Sequence, residues 1–426
     1  MRRAIRRAPR LLLLTGLLAL TGPTLSRPAA AQVRMRPPAP EVTFPEGRDT
    51  VDIPFELAGH LITFEGRVGD ESLRFILDSG ASSAVLRESH WVERLGLEVL
   101  GEARVGGAGS GEAATATVAG PIVIQIGDLT MSRDMIVVGV GEDMAGMSWN
   151  GALGGGLLSQ VVAEIDYGAS RLRLHRPESF EMPPGATVLP TRLLSSGVAA
   201  LQADVTIDGV TATYWLVLDL GAFHNLSLNG GEEGVPLPAR RLEHSVTTGW
   251  GAQGPLPGEV GVIDALRLGD IELRDVVTTF PGPEGLRGIR RLGADEPRIL
   301  GNLGSAILRR FTVFIDHPGE RLGLLPRATP PPLSNFNTTG IVSEPAANEE
   351  GFPVDDVIPG TPAAEDGLKP GELILALDGE PLANRGIELR SRLLDPPPGS
   401  ELGLTVRRDG GELEVTLVAR PLFEVS

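Results

Sequence analysis

Cysteine is absent from all 426 residues. That excludes disulfides, thiolate nucleophiles, cysteine-based zinc sites and a lipidated N-terminal cysteine. Aromatic residues are scarce, at 4%. Histidine is sparse too, with six residues at 60, 90, 175, 224, 244 and 317 and no HExxH pair. A His-rich metal site is therefore not expected, and none of the candidate residues is a metal ligand. Positive charge is in deficit: 38 Lys and Arg face 55 Asp and Glu, for a formal charge of −17. A nucleic-acid-binding surface does not fit that balance. What the chain does hold is 42% hydrophobic residues, 55 Gly and 35 Pro. That is enough apolar material for two or three domains, with short strands and many turns rather than long helices.

The N-terminus has the order of a secretory signal peptide. Arg2, Arg3, Arg6, Arg7 and Arg10 precede an apolar run from Leu11 to Leu20, and Ala29-Ala30-Ala31 offers a cleavage site before Gln32. Residues 1–31 carry six Arg and no acid, so cleavage takes the formal charge from −17 to −23. No later stretch reaches the ~18 apolar residues of a membrane helix, so an exported protein, periplasmic or extracellular, without a membrane span is expected. Residues 32–49 are Pro-rich and polar and predict a tether. Short β-type runs follow at Leu61 to Val68, Leu73 to Leu77, Ile122 to Ile126 and Met135 to Val140. A short helix is predicted over Ser89 to Leu95 with Ser89 as its N-cap. Residues 327–334, with Pro330-Pro331-Pro332, predict a stiff linker.

The most informative feature is an internal repeat. Phe75-Ile76-Leu77-Asp78-Ser79-Gly80-Ala81 recurs as Leu216-Val217-Leu218-Asp219-Leu220-Gly221-Ala222. Downstream, Ala152-Leu153-Gly154 is matched to Ile299-Leu300-Gly301, and Glu164-Ile165-Asp166-Tyr167 to Phe314-Ile315-Asp316-His317. Each copy has an Asp-x-Gly after an apolar strand. An Asp there is costly as a lone anion, and the Gly lets backbone donors turn toward it. If the halves pack about a pseudo-twofold axis, Asp78 and Asp219 face each other. Two such carboxyls share a proton, so one can act as base toward a water while the other donates to a carbonyl.

Leu77-Asp78-Ser79-Gly80-Ala81-Ser82 resembles the active-site loop of the aspartic proteases, in their bacterial retropepsin-like form. The resemblance covers roughly residues 50–326, in both halves. It implies a mainly β, two-lobed acid-protease barrel, with lobe 1 at 50–185 and lobe 2 at 186–326. It implies Asp78 and Asp219 as the catalytic pair, no cofactor, and a hairpin flap over the cleft. Segments 164–175 and 314–325 look like the strand pairs that close each lobe. Gly107 and Gly109 lie where the first flap would be, and Gly249 and Trp250 in the second half's equivalent. Ser79, Gly80, Leu220 and Gly221 complete the active-site loops. Leu220 departs from the family pattern, which has Thr or Ser there to bond the opposite loop, so a looser site is expected.

Residues 335–426 resemble the bacterial PDZ domains of exported proteases, through Val357-Ile358-Pro359-Gly360-Thr361-Pro362-Ala363-Ala364, Gly367-Leu368-Lys369-Pro370-Gly371 and Leu377-Asp378-Gly379. Such domains take an extended peptide as an added strand. Gly340 and Ile341 are the nearest match to the carboxylate-binding loop, and Ile387 to Leu394 reads as the groove helix, with Leu389 and Leu393 as peptide-binding candidates. The resemblances together imply an exported aspartic endopeptidase acting on peptides or unfolded protein. With both lobes in one chain a monomer suffices. The rival reading is an inactive, pepsin-like peptide-binding scaffold with a PDZ domain.

Overall fold

The computed structural model describes residues 39–109, 111–141, 147–231, 235–251, 253–282, 296–343, 350–383 and 387–424. The expected signal segment, 1–31, lies outside the described residues. The tether is partly ordered, contrary to expectation: Glu41–Thr43 is a strand paired antiparallel with Leu129–Arg133. Phe44 follows it into the core, and that burial is what holds the segment down.

Strands dominate, and they form where apolar residues alternate. In Ile122–Ile126 the three isoleucines are buried while Val123 and Gln125 face solvent, the period-two signature of a sheet with one wet face. The expected runs Leu61–Val68 and Ile122–Ile126 are observed with those bounds; Met135 to Val140 shortens to Ile136–Val138. The expected helix is also shorter, Trp91–Arg94, with His90 rather than Ser89 at its N-cap. Buried Trp91 sets that start, because its backbone N–H and its indole both donate to Glu88, at 3.3 and 2.9 Å.

Among the described residues, one sheet of eleven strands builds the first lobe, and a sheet of thirteen holds the second. The larger sheet crosses between lobes. Val162–Asp166 pairs antiparallel with Phe311–Asp316, with Ala163 opposite Ile315 and Ile165 opposite Val313. Segments 164–175 and 314–325 thus form the expected strand pairs, each also paired with a strand of its own half, and join the lobes as well. Two repeat-related edge strands present the same unpaired backbone groups, and pairing them antiparallel satisfies both at once. Phe75 and Leu77 from one half and Leu216, Leu218 and Leu220 from the other belong to one continuous core cluster.

The C-terminal unit has its own core, including Phe352, Ile374, Leu393 and Leu404. The hairpin between Leu373–Leu377 and Glu380–Pro381 turns through Asp378 and Gly379, both at positive φ (52° and 77°), the conformation a two-residue type I′ turn demands. This unit is seated on lobe 2. Val342 and Ile358 pack with Val246, Val260, Val262 and Val277 from the sheet carrying the second flap hairpin. The linker is pinned as well: Asn225 Nδ2 donates to the Ser334 carbonyl at 2.8 Å, and Ser334 N donates back to Asn225 Oδ1 at 3.0 Å.

Candidate active site

Each half builds its Asp loop in the same way. Strand Glu71–Leu77 runs parallel to Gly151–Leu153, and Asp78 N donates to the Leu153 carbonyl at 2.9 Å. Strand Val210–Asp219 runs parallel to Ile299–Gly304. In the first loop Asp78 Oδ1 accepts from Gly80 N and Ala81 N, at 2.9 and 3.2 Å. In the second, Asp219 Oδ1 accepts from Gly221 N at 3.0 Å.

The two loops interlock. A Cβ placed on Gly80 would lie 2.6 Å from Asp219 Oδ1, and one on Gly221 would lie 2.7 Å from Asp78 Oδ1. Neither distance is tolerated by a real side chain, so glycine here serves close approach. Ser79 ties the loops together. Its Oγ donates to the Leu218 carbonyl at 2.7 Å and accepts from Leu220 N at 3.0 Å. Leu220 sends its side chain into the core, where it is buried, so the crossing hydroxyl comes from the first loop, while the second loop answers with the Gly221 amide acting on Asp78. Burial and the facing Asp219 push the Asp78 carboxyl well above the usual carboxylate range, against the pull of its loop amides. Burial raises Asp219 too, opposed by the Asn302 amide and the amides of Gly221 and Ala222.

Asn302 is a residue the sequence reading missed. Its Nδ2 donates to Asp219 Oδ2 at 2.7 Å, and its Oδ1 lies 3.0 Å from His224 Nε2. The strand registers explain the miss. Leu77 lies opposite Leu153, and Leu218 opposite Leu303. The true counterpart of Ala152-Leu153-Gly154 is therefore Asn302-Leu303-Gly304, three positions beyond the expected Ile299-Leu300-Gly301. In each copy a four-residue helix follows, Gly155–Leu158 and Ser305–Leu308. Its first N–H closes on the Asp loop: Gly155 N donates to Ala81 O at 2.8 Å and Ser305 N to Ala222 O at 2.9 Å.

The flap candidates lie in two hairpins, Glu98–Val105 with Ala114–Gly120 and Val246–Gly251 with Gly254–Leu268. Their tips meet across the lobes. Gly111 N donates to the Gln253 carbonyl at 2.8 Å, and Gln253 N donates to the Ala108 carbonyl at 2.9 Å. The Gly107 backbone faces the Gln253 side-chain amide. Gly109, at φ 131°, and Gly251 admit this contact, since a Cβ on either would strike the opposite backbone at 2.2 Å. Gly249 sits in the second hairpin, and Trp250 keeps a buried indole N–H without a partner among the described residues.

The candidates in the C-terminal unit need correction. Gly340 is at φ 86°, but the loop's donors are already used: Thr339 N and Gly340 N donate to Asn337 Oδ1, at 3.2 and 2.7 Å, and Ile341 N to Thr339 Oγ1 at 3.4 Å. No backbone N–H of that loop is left for a carboxylate. Ile341 and Leu393 are both fully buried in the unit's own core, so neither lines an open groove. Leu389 lies on helix Ile387–Leu394, whose expected bounds are observed; its side chain lies outside the described residues.

Residues 64–158 match the family model for aspartyl proteases, and residues 339–418 that for PDZ domains. The chain carries an aspartyl-protease-like domain and a PDZ domain. The first match stops before Asp219, and it is the repeated strand, loop and parallel partner that relate the second half to the first. Among curated proteins, the periplasmic pH-dependent serine endoprotease DegQ of Escherichia coli (strain K12) is 42% identical over 67 residues, 16% of this chain. The match spans 14% of that relative's length, about one seventh.

Proposed function

We propose that this protein is an exported aspartic endopeptidase that cleaves peptides or unfolded protein between its two lobes and uses its PDZ domain to engage extended chains. What carries the reading is the reciprocal close approach of Gly80 to Asp219 and of Gly221 to Asp78, which brings two partly buried carboxyls face to face. Such a pair holds one proton. The ionised carboxyl takes a proton from a water between them while the protonated one donates to the scissile carbonyl, giving a tetrahedral diol. Collapse of the diol breaks the C–N bond: the proton taken from water passes to the leaving amine, and a diol hydroxyl returns its proton to the other carboxyl as the new carbonyl forms. The meeting flap tips support a covered cleft, where excluding water strengthens each of these interactions. We take the signal segment as 1–31, the lobes as 50–185 and 186–326, the linker as 327–334 and the PDZ domain as 335–426. The short match to DegQ, a periplasmic protein, is consistent with export.

Leu220 favours a second reading, a scaffold that binds peptides without turnover, because the usual hydroxyl is absent from one loop. Digestion of denatured protein by the purified chain across pH 3–8, with and without a statine-type inhibitor, separates the two. Inhibitor-sensitive hydrolysis supports the peptidase. Inhibitor binding without hydrolysis at any pH supports the scaffold.

A further inference from the structure

Besides Ser79 and Leu220, the repeat is broken at a second place beside the carboxyls. Position 302 is Asn, and the strand register gives its counterpart in the first half as Ala152. Asp219 therefore receives a side-chain donor at 2.7 Å, while the position matching Asn302 offers Asp78 none. The donor is itself oriented. Asn302 Oδ1 lies 3.0 Å from His224 Nε2, and with Nδ2 committed to Asp219 the oxygen can only accept, so the imidazole carries its proton on Nε2. Burial holds His224 well below its usual pKa, at about 4, so it stays neutral across most of the working range. At the position matching His224 the first half has Ser83, whose Oγ accepts from Arg133 Nη2 at 3.2 Å. The groups acting on the two carboxyls are each other, the loop amides and Asn302.

We propose that Asn302, oriented by His224, is a positioning residue that keeps Asp219 ionised as the base and leaves the shared proton on Asp78 as the acid. A hydrogen bond from a neutral donor favours the charged form of its acceptor. Both carboxyls accept loop amides, but only Asp219 also has a side-chain donor, and that bond, at 2.7 Å, is shorter than the amide bonds at 2.9–3.2 Å. The proposal rests on the peptidase reading for its meaning in turnover, but the proton assignment stands or falls alone.

The test is carbon-13 NMR of labelled Asp carboxyls in the whole chain between pH 3 and 9, with Asp78→Asn and Asp219→Asn assigning the signals. In the wild type the lower titration step should belong to Asp219. Asn302→Ala, which copies the first half, should raise that step by about one pH unit and move the acid limb of kcat/KM with it. His224→Ala should do the same to a smaller extent, which keeps the test alive if Asn302→Ala folds poorly. A lower step that belongs to Asp78, or that ignores both substitutions, overturns the assignment. An inert chain whose carboxyls still shift as stated upholds the assignment and refutes the peptidase. An active chain with no shift does the reverse.

Discussion

The two halves share one plan yet divide their work unequally. The first loop supplies Ser79, whose hydroxyl makes two bonds that cross between the loops; at the matching position the second has Leu220, a buried hydrocarbon. The second half adds Asn302 and His224 beside its Asp, where the first has Ala152 and Ser83. The second half also carries the PDZ domain on its flap sheet. The repeated plan is thus asymmetric in its side chains, and on the role proposed for Asn302 one half holds the geometry while the other sets the charge. Two equivalent carboxyls can share a proton through their mutual repulsion alone, so the difference bears on which of them carries it and not on whether it is shared.

The sharpest way to break the comparison is to remove each carboxyl in turn. Asp78→Asn and Asp219→Asn should each lower kcat/KM by about 10⁴-fold or more, with unchanged circular dichroism, since acid and base are both required. Near-full activity in either variant would mean the halves are not partners. Next in size are the glycines. Gly80→Ala and Gly221→Ala each put a Cβ within 2.7 Å of the opposite Asp oxygen. Displacing a carboxyl by about 1 Å costs on the order of 10²-fold in rate. Equal losses in steady-state kinetics would show that the loops interlock symmetrically even though their side chains do not.

Ser79→Ala should cost less in rate but more in stability. It strands the buried Leu220 N–H and takes a donor from the Leu218 carbonyl. An orphaned buried group costs about 1–3 kcal/mol, which urea denaturation can read as a lower midpoint with unchanged slope. A loss well under 1 kcal/mol would mean that the loops are held by packing.

The PDZ seat gives a pH test of the second half alone. Asp395 lies where the linker meets the PDZ domain; it accepts from Ser334 Oγ at 2.7 Å and feels the charge of Arg309. Burial raises its pKa to about 6, against those two favourable contacts. A folded-state pKa above the unfolded value means that the native state binds the extra proton. Its contribution is therefore full below about pH 4 and lost as pH rises toward 6. About 3 kcal/mol of native stability should disappear across that window. Asp395→Asn should flatten the fall in thermal midpoint between pH 4 and 7; an unchanged slope would place the titrating group elsewhere.

Much of this plan is legible in the residues. Apolar runs ending in Asp-x-Gly mark both loops, and the alternation in Ile122–Ile126 marks its strand, because local pattern decides local structure there. What escapes is set by pairing between distant segments. That Val162–Asp166 pairs with Phe311–Asp316 depends on which edges meet, and no local pattern encodes it. Asn302 escapes for a different reason. Matching apolar-apolar-Gly by side-chain type skips an Asn and lands three residues early. The signal was present: Ile165-Asp166 and Ile315-Asp316 are 150 apart, and the same offset carries Ala152 onto Asn302. In the PDZ domain the Gly340 loop is only the nearest match in sequence, and Asn337 Oδ1 accepts its N–H groups, a choice visible only in three dimensions.

The smallest expected change in rate comes from making the loops alike. Leu220→Thr restores a hydroxyl where the first half has one, and a reciprocal crossing bond is worth about 0.5–1.5 kcal/mol. Against it stands the burial of Leu220 in the core cluster. Shortening that side chain removes packed methyl groups and buries a polar atom, a net cost of roughly 2 kcal/mol for partial cavity formation. The two effects act on different quantities. The packing loss falls on the folded state as a whole and should appear as a lower thermal midpoint. The new bond acts at the dyad, where Ser79 already holds the Leu218 carbonyl and the Leu220 amide. Activity should therefore stay within about fivefold of wild type, a difference of about 1 kcal/mol. A rise of tenfold or more in kcat/KM would show that the missing hydroxyl limits the enzyme, and the division of labour between the halves would then be a defect and not a design.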